Sequence, residues 1–214
     1  MVAIRPPEYF PRLEYCALML AAERFVVADT FPFSRQSWHN RTKLRTADEV
    51  GWQWLTIPRR HGGVGIALNE LEIANERQWA RTHRRALEVN YRMAPFYEHF
   101  ADELFALLRQ PWQYLGQLTV ATVRWAHDKI GAPSELIVLS DLGSNLNTLQ
   151  KAWTAVGNSG ELITLPESAE GDAQQLSDVG VQTFEFEEHP GAQTFPGFVP
   201  GLSMLDMLFN HGSA

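Results

Sequence analysis

The sequence predicts an α/β protein, Rossmann-like and three-layered, with a mostly parallel sheet and a helical central and C-terminal part. Two observations predict it. Short apolar runs alternate with helix-length amphipathic segments at both ends of the chain. The central part, residues 75–130, contains helical patterns. Because parallel strands need long crossover connections, the spacing of the apolar runs fits a parallel sheet.

The first unit of this sheet lies at the N-terminus. Residues 2–4 predict a short strand, residues 12–23 a helix and residues 25–28 a second, buried strand. Ligands of parallel α/β sheets commonly bind in the loops beyond the C-terminal ends of the strands. The loops in question here are residues 5–11 and 29–37.

The remaining elements follow from the same patterns. Apolar periodicity predicts helices over residues 75–91, around Phe96 to Leu107 and over residues 114–130, and aromatic and β-branched residues predict a strand over residues 52–57. After Pro133, strands are predicted at residues 136–140, 161–165 and 181–186, and helices at 148–156 and 173–179. Ser203 and Asp206 have the spacing of a cap for a last helix.

Length and composition favour a single domain over residues 1–214. The chain has 45% hydrophobic residues, enough for a core that needs no metal or disulfide. No apolar run reaches the 18 or so residues of a membrane span, and the start lacks the pattern of a secretion signal. The single Cys16 cannot form an internal disulfide, and its apolar neighbours indicate a buried structural thiol. We therefore expect a cytoplasmic protein that does not associate with membranes.

Charge is distributed unevenly along the chain. The net charge of −7 argues against nucleic-acid binding. Residues 35–92, however, contain 11 Lys and Arg against 6 Asp and Glu, whereas the remainder contains 7 against 19. A basic third in an acidic protein indicates either a surface that faces an anionic small molecule or a solvated face with ion pairs.

A seven-residue stretch, residues 37–43, contains the first candidate binding residues. Trp38 offers an apolar platform, Asn40 an amide, and Arg41 and Lys43 positive charge. Such a set is suited to a sugar or a phosphate. The alternative is a polar surface loop whose tryptophan is tucked into the core.

The helix predicted over residues 75–91 contains further candidates. Trp79, His83, Leu87, Asn90 and Tyr91 share one of its faces. His83 is therefore either hydrogen-bonded inside the core or a group that transfers a proton or contacts a ligand. Asp29 directly follows a predicted strand, where it can belong to a site or stabilise a turn.

Several common catalytic motifs are absent. The sequence contains no Gly-x-Ser-x-Gly, no His-Glu-x-x-His and no Walker loop. It predicts no cofactor and no required metal.

Five segments of the chain resemble the WbqC-like protein family. They are residues 7–11 (PEYFP), 37–41 (SWHNR), 51–58 (GWQWLTIP) and 198–210 (FVPGLSMLDMLFN), together with the segment of His83, Asn90, Tyr91 and Pro95. The resemblance implies a transferase of surface-polysaccharide or amino-sugar biosynthesis. Such an enzyme would transfer an amino acid such as glycine, or another acyl group, to an amino sugar.

The residue patterns and the resemblance together predict a set of site residues, and the resemblance implies a small-molecule substrate, an activated sugar or acyl donor. The candidate catalytic residues are His83 and Asp29. The candidate substrate-binding residues are Tyr9, Trp38, Asn40, Arg41, Lys43, Trp54, Asn90, Tyr91 and Asn210. The net charge and the lack of a long apolar run predict no nucleic-acid partner and no membrane partner, and assembly into a homo-oligomer is left open.

Two stretches depart from the family pattern. The family opening usually reads His-Gln-Pro-x-Tyr-x-Pro-Trp-Leu-Gly-Tyr, but this chain has Arg5 in place of the histidine and Glu14 in place of the glycine. A second, Ser- and Gly-rich stretch is replaced by residues 165–172. Because arginine stays charged, Arg5 has no acid or base role. The alternative prediction is thus a catalytically degenerate member that binds a ligand or a partner enzyme.

Overall fold

A computed structural model describes residues 1–60, 64–143, 145–157 and 160–213. Its strands are β1 (Val2–Arg5), β2 (Arg24–Val27), β3 (Arg41–Arg45), β4 (Trp52–Thr56), β5 (Glu135–Val138), β6 (Leu162–Thr164) and β7 (Val181–Thr183). Its α-helices are α1 (Leu13–Ala21), α2 (Trp79–Tyr91), α3 (Tyr97–Leu108), α4 (Leu115–Lys129), α5 (Leu149–Ala155), α6 (Pro166–Gln175) and α7 (Met204–His211).

Five of the strands form one parallel sheet in the order β5-β2-β1-β6-β7. From β1 the chain moves outward through β2 to β5, and then it crosses back to the other side of β1 to form β6 and β7. The direction of winding therefore reverses between β1 and β6. In open parallel sheets, this switch point is where the loops separate and leave a crevice at the C-terminal ends of the strands.

Both faces of this sheet are buried, which agrees with the predicted layers. Along β1, Val2 and Ile4 pack with Leu149 and Trp153 of α5 on one face. Ala3 belongs to the larger core on the other face, together with Tyr15 of α1. Alternation along a strand places successive side chains on opposite faces. The predicted α/β class with a mostly parallel sheet is confirmed.

The central part of the chain forms a helical subregion and an antiparallel hairpin. The predicted apolar face of α2 is confirmed, because Trp79, His83, Leu87, Asn90 and Tyr91 are its buried residues. Strands β3 and β4 pair with each other outside the main sheet, with Lys43 opposite Trp54.

Cys16 of α1 is also buried, as predicted, and burial raises the pKa of its thiol.

One strand and the position of one helix differ from the prediction. Strand β3 alternates polar and buried residues in a segment predicted only as polar and basic. The helix predicted at residues 173–179 is wrong. Helix α6 begins at Pro166 and ends at Gln175, because proline at the first position presets the helical φ and needs no N–H donor there.

No helix in the described part of the chain has both the length and the hydrophobicity that crossing a membrane requires.

Candidate functional site

An open cavity of about 530 Å³ lies at the switch point of the sheet. It is bounded by the loop after β1, the loop between β2 and β3, and the first turn of α6. These include the two loops in which the sequence predicts ligand binding. The residues that line the cavity are Arg5, Pro6, Glu8, Arg12, Phe31, Pro32, Ser34, Gln36, Ser37, Trp38, His39, Glu167 and Ser168.

The loop between β2 and β3 is held in place by both of its neighbours. The backbone N–H of Tyr9 donates to the carbonyl of Trp38 at 3.0 Å and so joins the two loops of the cavity. From β3, Arg41 donates through Nε to Ser37 O and through Nη2 to Gln36 O. Gln36 has a φ of 60°, a conformation that a non-glycine residue adopts only when its surroundings impose it. Arg41 therefore positions the cavity rim.

Arg12 is the centre of an ion network on the cavity wall. Its Nη2 lies 2.9 Å from Glu8 Oε1 and 3.1 Å from Glu167 Oε1, and its Nη1 contacts Glu14. Glu8 is buried, so its carboxylate depends on this pairing and on the backbone N–H of Arg12. Burial raises the pKa of Glu14, although Arg12 opposes the shift.

Arg5 lies at the end of β1 and faces α6. Its Nη2 lies 3.4 Å from Glu167 Oε1, and its Nη1 donates to Ser168 Oγ. Its Nε is shielded from water and has no hydrogen-bond partner among the described residues. The two stretches that depart from the family pattern, residues 5–15 and 165–172, therefore contact each other across one cavity.

His39 is a neutral histidine on the cavity wall. Burial, together with the smaller effect of the Arg5 charge, lowers the pKa of its imidazole to about 4. Its Nδ1 accepts from the backbone N–H of Ser34 at 3.4 Å. In the neutral ring the proton then resides on Nε2, for which we find no acceptor among the described residues. His39 is therefore equipped to donate a hydrogen bond at neutral pH.

Comparison with known proteins identifies the family of this chain. The model of the WbqC-like protein family matches residues 6–214. The chain belongs to the WbqC-like protein family. It is also similar to the uncharacterized protein Rv1507c of Mycobacterium tuberculosis, with 25% identity over an alignment of 232 residues. The alignment covers 99% of this chain and 94% of the relative. No solved structure gives a significant match. The family resemblance seen in the sequence is confirmed.

Trp38 is a site residue predicted from the sequence of this WbqC-like protein, and it lines the cavity. Its indole packs edge-on against Trp54, with ring centroids 4.8 Å apart, and the Arg12 guanidinium lies over its face at 4.9 Å. Arg41 lies over Trp54 at 4.1 Å. Trp38 and its neighbours therefore form a packed wall between the cavity and the β3–β4 hairpin.

Lys43 and the three candidate asparagines bond to backbone carbonyls. Lys43 Nζ donates to Pro200 O at 3.2 Å. Asn40 donates to Ile57 O, Asn90 to Ala86 O and Asn210 to Asp206 O. The bonds of Asn90 and Asn210 lie within α2 and α7, whereas Asn40 and Lys43 join segments that are distant in the chain, and none of the four side chains lines the cavity.

His83 is sealed in the core. Its Nε2 lies 3.3 Å from the carbonyl of Thr56, which can only accept, so the proton resides on Nε2. Nδ1 then accepts from the hydroxyl of Tyr9 at 2.9 Å. Burial lowers the pKa of His83 to about 4, despite its hydrogen bond to Thr56. With both nitrogens engaged, His83 is a hydrogen-bonded core histidine in this structure.

Asp29 and Tyr91 also lie away from the cavity lining. Asp29 Oδ1 accepts from the backbone N–H of Ser140 at 3.0 Å and so ties the ends of β2 and β5 together. Burial raises its pKa. The hydroxyl of Tyr91 accepts from the backbone N–H of Arg45 at 2.9 Å.

The sequence analysis did not propose Arg5, Glu8, Arg12, His39, Glu167 or Ser168 as site residues. The signal for Arg5 and Glu8 was their position in the first loop after a strand, and for His39 its place beside Trp38. Glu167 and Ser168 lie in the second stretch that departs from the family pattern, but no local pattern indicated their contact with Arg5, because only the strand order brings them together. Within the described residues, no cluster of three or more His, Cys, Asp and Glu side chains is arranged to hold a metal ion.

Proposed function

We propose that this WbqC-like protein is a cytoplasmic transferase of surface-polysaccharide or amino-sugar biosynthesis, which moves an amino acid or another acyl group onto an amino sugar. The observation that carries the proposal is the cavity at the switch point. Its volume of about 530 Å³ fits a small-molecule ligand. Its lining combines apolar walls with the guanidinium groups of Arg5 and Arg12, the buried carboxylate of Glu8 and the neutral imidazole of His39. These groups together suit a polar substrate that contains a ring.

The reaction requires an amine nitrogen to attack an acyl carbon. As the N–C bond forms, the carbonyl oxygen becomes an oxyanion. The carbonyl is restored when the bond to the leaving group breaks, and the leaving group departs with that electron pair and takes up the proton that the amine loses, directly or through water. The Nε2–H of His39 is suited to donate a hydrogen bond to that oxygen, since a neutral imidazole donates without first having to ionise. Trp38 supplies an apolar surface for the sugar ring. Proton transfer by His83 or Asp29 stays a prediction from the sequence.

A ligand screen tests this proposal. Thermal unfolding of the protein is measured with nucleotide sugars, amino sugars, amino acids and acyl thioesters, because a ligand that binds only the folded state raises the melting temperature. A hit should lose its effect in Trp38→Ala and keep it in Trp112→Ala, a tryptophan that lies outside this cavity. Mass spectrometry then looks for an acylated amino sugar. A screen without any stabilising ligand would contradict the proposal.

A second candidate function is ligand or partner binding without chemistry. It is favoured by the charged groups on the cavity wall, because Arg5 and Arg12 already pair with Glu167, and Arg5 stands where the family opening usually has histidine. A ligand that stabilises the protein, with no turnover for any donor and acceptor pair, would support this candidate over the transferase. Detection of an acylated product would exclude it.

A further inference from the structure

Arg5 and Arg12 share one carboxylate oxygen in the cavity. Both donate to Oε1 of Glu167, at 3.4 Å and 3.1 Å. The two arginine side chains are mostly buried, at 11% and 14% exposure, whereas the Glu167 side chain is 49% exposed. The acceptor is thus the accessible member of the group, and its departure into solvent needs no opening of the core.

The two arginines differ in how far their charge is neutralised. Arg12 also pairs with Glu8 and Glu14, so its charge is balanced without Glu167. Glu167 is the one carboxylate within ion-pair distance of Arg5 among the described residues, and Arg5 Nε has no partner there. If Glu167 moved away, Arg5 would be a mostly buried cation with no carboxylate at ion-pair distance among the described residues. An anionic group of a ligand would restore the pairing.

The surroundings of Arg5 favour an oxyanion over other ligands. Ser168 supplies a hydroxyl beside the guanidinium, and Leu165, the N-cap residue of α6, provides no side-chain cap at this point. A guanidinium and a hydroxyl together fit an oxyanion that has at least two free oxygens. The nearby walls of Phe31, Pro32 and Trp38 suit an attached ring.

We propose that Glu167 occupies the position of a ligand oxyanion, either a carboxylate or a phosphate ester, and that this group displaces Glu167 from Arg5 when it binds. The inference rests on the proposed function, because it assigns the anionic part of the same substrate. It differs from the sequence-based expectation, in which Arg41 and Lys43 hold the anion. Those two side chains bond to Ser37 O, Gln36 O and Pro200 O instead.

The test uses three small aromatic probes. Benzoate carries a carboxylate, phenyl phosphate carries a phosphate ester, and benzamide is a neutral analogue of benzoate. Dissociation constants are measured by NMR titration of the wild type and of variants at one ionic strength. Glu167→Gln should bind an anionic probe about tenfold more tightly than the wild type, because the internal competitor loses its charge. Benzamide should show no such gain.

Two further variants make the test specific. Glu170→Gln, on the same helix and bonded among the described residues to Gln174 alone, should behave like the wild type. Arg5→Gln should lose binding of both anions. Arg5→Lys keeps the charge but not the planar fork, so it should bind with intermediate affinity, and it serves as the second variant if Arg5→Gln does not fold.

The outcomes separate this inference from the proposed function. A gain in Glu167→Gln for phenyl phosphate alone identifies a phosphate, a gain for benzoate alone identifies a carboxylate, and a gain for both supports the shared chemistry. Equal dissociation constants in the wild type and Glu167→Gln, no binding of either anion to Glu167→Gln, or unaltered binding in Arg5→Gln would overturn it. An activated sugar or acyl donor that still binds in that case leaves the transferase proposal intact.

Discussion

Glu8 and Tyr9 are neighbours in one loop, yet they belong to regions of opposite character. Glu8 lines the open cavity and pairs with Arg12, whereas Tyr9 is fully buried and donates to His83. Both regions contain buried polar side chains. In the cavity, charged groups stand beside open space and can exchange partners. In the Tyr9–His83 cluster each side-chain polar atom has a fixed hydrogen-bond partner, so these two polar residues are part of the core.

The first prediction uses His83→Ala and concerns stability. The change removes a buried ring and leaves the Tyr9 hydroxyl without its acceptor, so the free energy of unfolding should fall by about 3 kcal/mol. The free energy of unfolding is measured by urea denaturation. His189→Ala, at an exposed histidine, should alter stability by less than about 0.5 kcal/mol. Ligand binding by folded His83→Ala should stay near that of the wild type, and its loss would return His83 to the site.

The second prediction uses His39→Gln and concerns turnover. With a substrate from the screen, kcat should fall about 100-fold, because a group that acts on the transition state typically contributes this much. The dissociation constant for the substrate should be nearly unaltered. His99→Gln, at an exposed histidine, serves as the matched control. An unaltered kcat in His39→Gln would remove this residue from the mechanism.

The third prediction concerns the pH dependence of stability. Burial lowers the pKa values of His39 and His83 to about 4 in the folded protein, below the usual value near 6.5. The unfolded chain then binds more protons between these values, so stability is present above pH 6.5 and is lost as the pH falls toward 4. From pH 7 to pH 5, each histidine should lower the free energy of unfolding by about 2 kcal/mol.

A variant separates the contribution of His83 from those of the other groups that titrate. Burial raises the pKa of Asp206 to about 6, so this carboxyl favours the folded state at low pH and opposes the histidine effect. Urea unfolding at pH 7 and pH 5 is therefore compared between the wild type and His83→Gln. The variant should lose about 2 kcal/mol less than the wild type over this interval. Equal losses in both proteins would show that His83 is not neutral in the folded state.

The smallest expected effect follows from Arg41→Met. This side chain holds the carbonyls of Gln36 and Ser37 on the cavity rim, so its loss should loosen the rim without removing a group that touches the ligand. The dissociation constant of a ligand should rise about threefold to tenfold, or about 0.7 to 1.4 kcal/mol, because the lost hydrogen bonds act on the ligand only through the order of the rim. Arg35→Met, at an exposed arginine of the same loop, should match the wild type. A complete loss of binding would instead indicate direct contact.

Much of the fold was predictable because local patterns carry it. The buried face of α2 was predicted residue by residue, since helical periodicity decides which side chains face the core. The strands of the sheet followed from short apolar runs. The start of α6 at Pro166 and strand β3 were missed, because their sequences are polar and their structure depends on neighbours as well as on propensity.

The sequence by itself determined the α/β class, the family and the two loops that border the cavity. Only the tertiary structure decided which polar residues meet there. Arg5 and Glu167 are separated by 162 positions, and His83 and Tyr9 by 74. Periodicity reports whether a side chain faces inward, but the strand order and loop packing decide whether it meets a fixed partner or open space. That difference distinguishes the Arg5–Glu167 pair from the Tyr9–His83 pair.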